Sequence, residues 1–462
     1  MTPLRLSQIA RWCEARLLGE DVLIDAIGTD SRRLPQGALF VALRGENFDG
    51  HEFCGAAERA GARALLVARP VESALPQLLC ADTELALGEI AAEVQTQRQT
   101  QVLALTGSNG KTTVKTLLLG ILSRHAPSYA NPGNRNNEIG LPLAVLDAPE
   151  DARFAIYEMG AGKPGDIAYL TSVARPSIAL VNNVAPAHLQ RMGTLLGVAQ
   201  TKGAIYEALP ADGVAVINAD DAFCEFFADL AKPRRVVRFG LEQSADVRAE
   251  AIVANAEGSA FTLRLPMQQV AVQLPLPGRH NILNALAAAA MAHAAGVPAA
   301  TIAAGLAAAT PVAGRQQASL LMPGVALIDD SYNANPGSVA AAIETLAAGA
   351  GEAWLVLGDM AELGEGAPLL HAEVGAHARR AGLAALWTVG TLSREASRAF
   401  GDGARHFSDQ SGLIAALREA LRSRTGGAPL RVLVKGSRSS AMERVIAALR
   451  QTPNSQETGH VA

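Results

Sequence analysis

A chain of 462 residues, 49% hydrophobic and 18% charged, reads as globular and is longer than one hydrophobic core usually serves, so two or three domains are expected. Its net charge of −4 argues against a general nucleic-acid binder, although local groups can still hold a small acidic ligand. The four cysteines, Cys13, Cys54, Cys80 and Cys224, are far apart with no C-x-x-C spacing, which points to free thiols in a reducing compartment rather than a zinc site or a disulfide framework.

The first predicted element is an amphipathic helix near the N-terminus. This stretch carries charges throughout and has no long apolar region, and no run of about 18 apolar residues occurs elsewhere. A cytoplasmic protein without membrane insertion is expected. Short strands follow at Ala38–Leu43 and Ala64–Val67, giving residues 1–84 the pattern of a small α/β domain. Two polar stretches stand out there. Asp30-Ser31-Arg32 sets an arginine beside a small hydroxyl and is either a phosphate grip, with Ser31 and Arg32 as the contacts, or a solvated turn. GENFDGHEF, Gly45 to Phe53, carries Asp49, His51 and aromatic rings, and is either a ligand contact or a solvated turn.

The next stretch, LALTGSNGKTTVKTLLL from Leu103 to Leu119, is predicted to run from a strand through a glycine turn into a helix. Such a junction is a phosphate cradle. Gly107, Ser108, Asn109 and Gly110 form the turn, and their successive N–H groups are expected to converge on phosphate oxygens at the helix N-terminus with those of Lys111, Thr112 and Thr113. Lys111 is expected on the β/γ-phosphates and Thr112 on Mg²⁺. The spacing is the shorter G-x-x-G-K-T, since the first glycine of the common G-x-x-x-x-G-K-[ST] form would fall at Leu105.

Residues 85–313 repeat strand and helix in the doubly wound manner, which predicts a central, mainly parallel sheet of the P-loop ATPase kind with ligands at the strand C-terminal ends. Strands are expected at Val102–Leu105, Phe154–Tyr157, Ile178–Val181, Val214–Ile217 and Val236–Phe239. Glu158 and His188 follow two of them, where a carboxylate and an imidazole could hold Mg²⁺ beside a nucleotide. Taken singly, a histidine is more often structural, and Glu158 could instead be a helix-capping acid. Lys202 lies on the following helix, where the plainest reading is a surface lysine. Residues 246–276 lack helical periodicity and read as antiparallel strands. The alanine-rich segment 285–309 is broken at Gly296-Val297-Pro298, which makes it two helices rather than a membrane span.

Residues 314–450 repeat the α/β rhythm as a Rossmann-like C-terminal domain. Strands are expected at Val325–Ile328, Trp354–Leu357, Ala385–Val389 and Arg431–Val434, and the loops after three of them are rich in polar residues: Asp329–Pro336, Gly358–Gly364 and Lys435–Arg438. Residues 451–462 are polar and expected to fray. No heptad seam is visible, so a monomer is the default.

Taken together, GSNGKTT, NRNNEIGLP (Asn134–Pro142), YEMGA (Tyr157–Ala161), NNVAPAHL (Asn182–Leu189), GRHNILNALAA (Gly278–Ala288) and DDSYNANP resemble the Mur ligase family of peptidoglycan synthesis over nearly the whole chain. Within it, DSYNANP, LGDMAELG and DGHEF are similar to the member that adds D-alanyl-D-alanine to UDP-N-acetylmuramoyl-tripeptide. The resemblance implies three domains that bind the UDP-sugar, ATP and the incoming amine. It implies Lys111 and Thr112 at the γ-phosphate and Mg²⁺, with Glu158 and His188 at a second Mg²⁺. Lys202 matches a lysine often carbamylated in the family, Asn281 an adenine contact, and Arg315 and Asp330 residues that reach phosphate and ribose when the C-terminal domain closes. Asn333 and Asn335, neutral with a donor and an acceptor each, suit the zwitterionic dipeptide; the other reading is that they cap the helix starting near Pro336. A sister ligase adding a diamino acid, a folylpolyglutamate synthetase, or a nucleotide-dependent switch protein without ligation are the competing readings.

Overall fold

The computed structural model describes residues 1–451 except 46–47, 187–188, 256 and 425–427. His188 and the tail from 452 onward therefore lie outside the described residues. Three large sheets follow one another along the chain: five strands within residues 16–79, nine within 101–274 and six within 317–435. No helix among the described residues is long and apolar enough to cross a membrane.

The middle sheet explains where a ligand can sit. Its strand Gln101–Thr106, third from one edge, lies between Phe154–Glu158 and Ile178–Val181, all parallel, and the chain order reverses across it. These strands are short runs of β-branched and other apolar residues buried on both faces, the pattern of a sheet covered by helices. Register brings their ends level: Glu158 stands opposite Leu105, and Val181 opposite Thr106. The residues that follow each strand therefore open onto one crevice at the switch point. Val247–Ala254, Ser259–Leu265 and Gln268–Leu274 extend the sheet, the last two antiparallel to their neighbours, as the missing helical period predicts. The alanine-rich segment forms helices Arg279–Ala294 and Ala299–Ala307; the first lies deep in the core because alanine lets it pack closely against the sheet.

The C-terminal sheet is parallel apart from its edge strand Gln317–Met322, and apolar clusters cover both faces. Its strands Val325–Asp330, Glu352–Gly358, Ala385–Val389 and Leu430–Lys435 contain the predicted ones. Strands Ser128–Ala130 and Ala404–Phe407 were not predicted; each is a short, half-buried edge strand with weak alternation. The expected division at 84/85 falls inside helix Thr83–Thr96, whose N-terminal N–H groups are capped by Asp82. That helix buries Leu87, Ile90 and Val94 in a core shared by the N-terminal and middle sheets, so it joins the two rather than ending one.

Candidate functional site

The glycine turn is built as its sequence requires. Gly110 has φ 79°, and a Cβ there would lie 2.3 Å from Asn284 Oδ1, so only glycine fits. Helix Lys111–Leu122 starts at the next residue. The expectation that all the loop N–H groups face phosphate needs correction: Ser108 N–H donates to Asn183 O at 2.9 Å, and Asn109 N–H to Asn183 Oδ1 at 2.8 Å. Those two brace the loop against the neighbouring strand end. The first-turn N–H groups, which have no partner inside a helix, remain for an anion. Lys111 Nζ folds back on Gly107 O at 2.6 Å, and Thr112 Oγ1 accepts from Arg315 Nη2 at 2.9 Å. Burial, with Arg315 adding to it and Glu158 opposing, moves the Lys111 ammonium below its ordinary pKa.

Glu158 is 3% exposed. Its Oε1 accepts from Asn136 Nδ2 at 3.1 Å, while Oε2 lies 3.2 Å from Lys115 Nζ without a hydrogen bond. Burial alone would raise this carboxyl, yet Lys115, Lys111, the Thr112 hydroxyl and Arg315 draw it below the usual carboxylate range. A buried, ionised oxygen without a hydrogen bond beside a threonine hydroxyl suits a hard divalent cation. Among the described residues no group of three or more His, Cys, Asp or Glu side chains is placed to hold a metal, so Glu158 would need Thr112 and other donors.

Lys202 sits on helix Leu195–Glu207 as expected but is no surface residue. It is 1% exposed, with no ion pair among the described residues. Burial, and then the charge of Lys111, hold its pKa well below the ordinary lysine value.

From the C-terminal sheet, Arg315, Asp330, Asn333 and Asn335 reach the same cleft of about 720 Å³ that Ser108, Asn109, Gly110, Lys111, Thr113, Glu158 and Asn281 line. Arg315 stacks on the Tyr332 ring at 4.4 Å. Asp330 Oδ2 is bound by buried Lys435 at 2.6 Å, and Asp330 Oδ1 accepts from Gln316 N–H at 3.3 Å. Asn333 is exposed to the cleft, its Oδ1 accepting the Ala334 N–H. Asn335 caps helix Pro336–Ala348 in a capping box with Ser338, the alternative weighed for it, and its amide also reaches Asn109.

Ser31, Arg32, Asp49 and His51 do not line this cleft. The Arg32 guanidinium is held by both oxygens of Asp30 at 2.9 Å. Asp49 accepts His51 N–H at 3.0 Å, bonds His51 Nδ1 at 2.6 Å and accepts from Arg69 at 2.8 Å, contacts that hold its carboxyl well below the usual range. His51 Nε2 accepts the Ala68 N–H at 2.9 Å. Both ring nitrogens are therefore engaged within the protein, and the pair organises its own loop.

Lys115, Asn284 and Lys435 lie in stretches that the sequence singles out but to which it assigns no role. Lys115 follows Lys111 by one helical turn, which places both on one face toward Glu158. Asn284 lies in the quoted GRHNILNALAA and bonds Asn182 and Asn281.

Against known proteins, residues 105–292 match the domain family described as Mur ligase middle domain, residues 314–438 the Mur ligase glutamate ligase domain, and residues 23–98 the Mur ligase catalytic domain family. UDP-N-acetylmuramoyl-tripeptide--D-alanyl-D-alanine ligase of Escherichia coli (strain K12) is 44% identical over 98% of this chain and 99% of its own. A crystal structure of MurF from Acinetobacter baumannii superposes with a TM-score of 0.94 at 33% identity, over 98% of this chain and 100% of that one. MurF ligase from Thermotoga maritima in complex with ADP gives 0.82 at 28% identity, over 92% and 97%.

Proposed function

The chain belongs to the Mur ligase family, and from this premise we infer that it is the ATP-dependent ligase joining D-alanyl-D-alanine to UDP-N-acetylmuramoyl-tripeptide in peptidoglycan precursor synthesis. The observation that carries the reading is a single cleft with the phosphate loop on one wall and the Asp329–Pro336 loop on the other, bridged by Arg315 and Thr112. Acyl donor, γ-phosphate and amine can meet there.

A carboxylate is a poor acyl donor because its leaving group would be oxide. Its oxygen therefore first bonds the γ-phosphorus as the bond to the β–γ bridging oxygen breaks, giving an acyl phosphate and ADP. The amine then attacks the acyl carbon, loses a proton and expels inorganic phosphate. Lys111 and Arg315, both cationic and aimed at the phosphate loop, offset the anionic charge of the first step. In this reading Lys111 exchanges Gly107 O for a phosphate oxygen, and Asn281 meets adenine. The lone pairs that Lys435 and Gln316 leave on Asp330 take the ribose hydroxyls. Asn333 contacts the dipeptide. Thr112, Glu158, His188 and Lys202 are the residues that would hold Mg²⁺, which would stabilise charge on the phosphoryl oxygens. For Lys202 this requires a carbamate, which only a neutral amine can form and which its dry setting favours.

The UDP-sugar belongs to the N-terminal part, with Ser31 and Arg32 as its candidate contacts and Asp49 and His51 holding the adjacent loop. We propose the division 1–84, 85–313 and 314–450 into N-terminal, middle and C-terminal domains, with helix Thr83–Thr96 as the joint between the first two. We further propose a cytoplasmic monomer that binds neither nucleic acid nor membrane, a reading supported by the net charge of −4, which gives no basic excess for a polyanion. The test is phosphate release assayed with each substrate omitted in turn. Release should require both UDP-N-acetylmuramoyl-tripeptide and D-alanyl-D-alanine; release with ATP alone, or with a diamino acid replacing the dipeptide, would overturn the reading.

A further inference from the structure

Asn335 joins two parts of the protein that lie 226 residues apart in sequence. Its Oδ1 accepts the Ser338 N–H at 2.9 Å and so caps helix Pro336–Ala348, while its Nδ2 donates to Asn109 Oδ1 in the phosphate loop at 2.7 Å. Among the described residues the Asn109 side chain has no other hydrogen-bond partner. Its main chain, by contrast, is clamped: the N–H goes to Asn183 Oδ1, and the carbonyl accepts Asn182 Nδ2 at 2.9 Å and Asn183 Nδ2 at 3.2 Å. Asn182 continues to Asn284 Oδ1 at 3.0 Å, and Asn284 to Asn281 Oδ1 at 3.3 Å. A chain of neutral amides thus runs from a C-terminal-domain helix cap, through the phosphate loop, to the candidate adenine contact. Amides can donate and accept without adding charge beside a triphosphate. A second observation marks the same contact: a Cβ on Gly337 would sit 3.4 Å from Asn109 Nδ2 and 3.6 Å from Ala185 Cβ, ordinary van der Waals distances, so the start of the helix lies directly against the phosphate loop.

We propose that Asn335 is a positioning residue for phosphoryl transfer, docking the C-terminal domain on Asn109 and holding the phosphate loop in its working geometry, rather than a contact for the dipeptide. This rests on the ligase reading, and wild-type turnover is the reference that separates failure of one from failure of the other. Asn335→Ser keeps a capping oxygen for Ser338 but is too short to reach Asn109. Asn109→Ala removes the other end of the same bond. Each single variant should lower kcat about tenfold, the scale of one lost hydrogen bond, and the double variant should be no worse than the poorer single. The KM for D-alanyl-D-alanine should stay within about twofold in Asn335→Ser and its melting temperature should hold, because the cap survives. Gly337→Leu, which places a bulky side chain at the contact without replacing either asparagine, should also lower kcat. Multiplying losses in the double variant, a loss confined to the dipeptide KM, or wild-type kcat in Gly337→Leu would each overturn the proposal.

Discussion

In the loop around Asp49 the carboxylate and both nitrogens of the His51 ring have protein partners, whereas Glu158, at least as deeply buried, keeps one carboxylate oxygen without a hydrogen bond. The same contrast separates two buried lysines. Lys435 reaches Asp330 at 2.6 Å and Asn333 O at 3.0 Å, while Lys202 has no ion pair among the described residues. A buried polar group without a partner costs folding free energy, and a buried charge costs more. A protein keeps such groups where a ligand or a chemical modification completes them. Loops rich in chemistry-bearing residues are therefore told apart by how much bonding capacity folding leaves open.

Four experiments can break or sharpen that comparison. The largest effect is expected at Lys111. Lys111→Ala should cut ligation by about a thousandfold, the scale of removing a preorganised charge from a transition state, with the unfolding transition little changed. Near-wild-type ligation would remove the phosphate loop from the chemistry.

Next comes Lys202→Ala, which should lose about a hundredfold in activity, partly restored by a short carboxylic acid that replaces the missing anionic donor. Full activity without rescue would mean that Lys202 carries no metal-binding carbamate.

The third effect is on stability. Burial, with the charge of Lys435 nearby, pushes His280 from 6.5 to about 4. Between those values the unfolded chain holds a proton that the folded chain lacks. Stability should therefore fall as pH drops from 6.5 to 4, by up to about 3 kcal/mol, and be fully present above 6.5. His280→Gln should flatten that acid limb in urea titrations; an unchanged limb would assign it to other groups.

The smallest kinetic effect belongs to the satisfied loop. His51→Ala should cost about 1–3 kcal/mol of stability by leaving the Ala68 N–H and Asp49 without their partner, with the KM for ATP and for the dipeptide unchanged. A rise in the KM for the UDP-sugar substrate without any stability loss would show the loop to be a ligand contact after all.

Sequence alone determined the features that depend on near neighbours. Two-sided apolar runs specify buried parallel strands, a glycine before Lys111 specifies the turn, and the alternation of strand and helix puts the phosphate loop and Glu158 at strand C-terminal ends. Long-range packing decided the rest. Nothing local tells Lys202 from a surface lysine, since its exposure depends on which helix face meets the sheet. The DSYNANP motif shows that Asn335 can cap a helix, but its bond to Asn109 exists only because two distant domains meet. Asp49 and His51 look as ligand-ready as Glu158 when read along the chain. Arg69 and Ala68 satisfy one pair, and the other carboxylate oxygen, held near Lys115, is left without a hydrogen bond. Hydrogen-bond capacity is a property of residue type, legible in the sequence, whereas whether that capacity is already satisfied is a property of contacts between residues far apart in the chain, which only the tertiary structure decides.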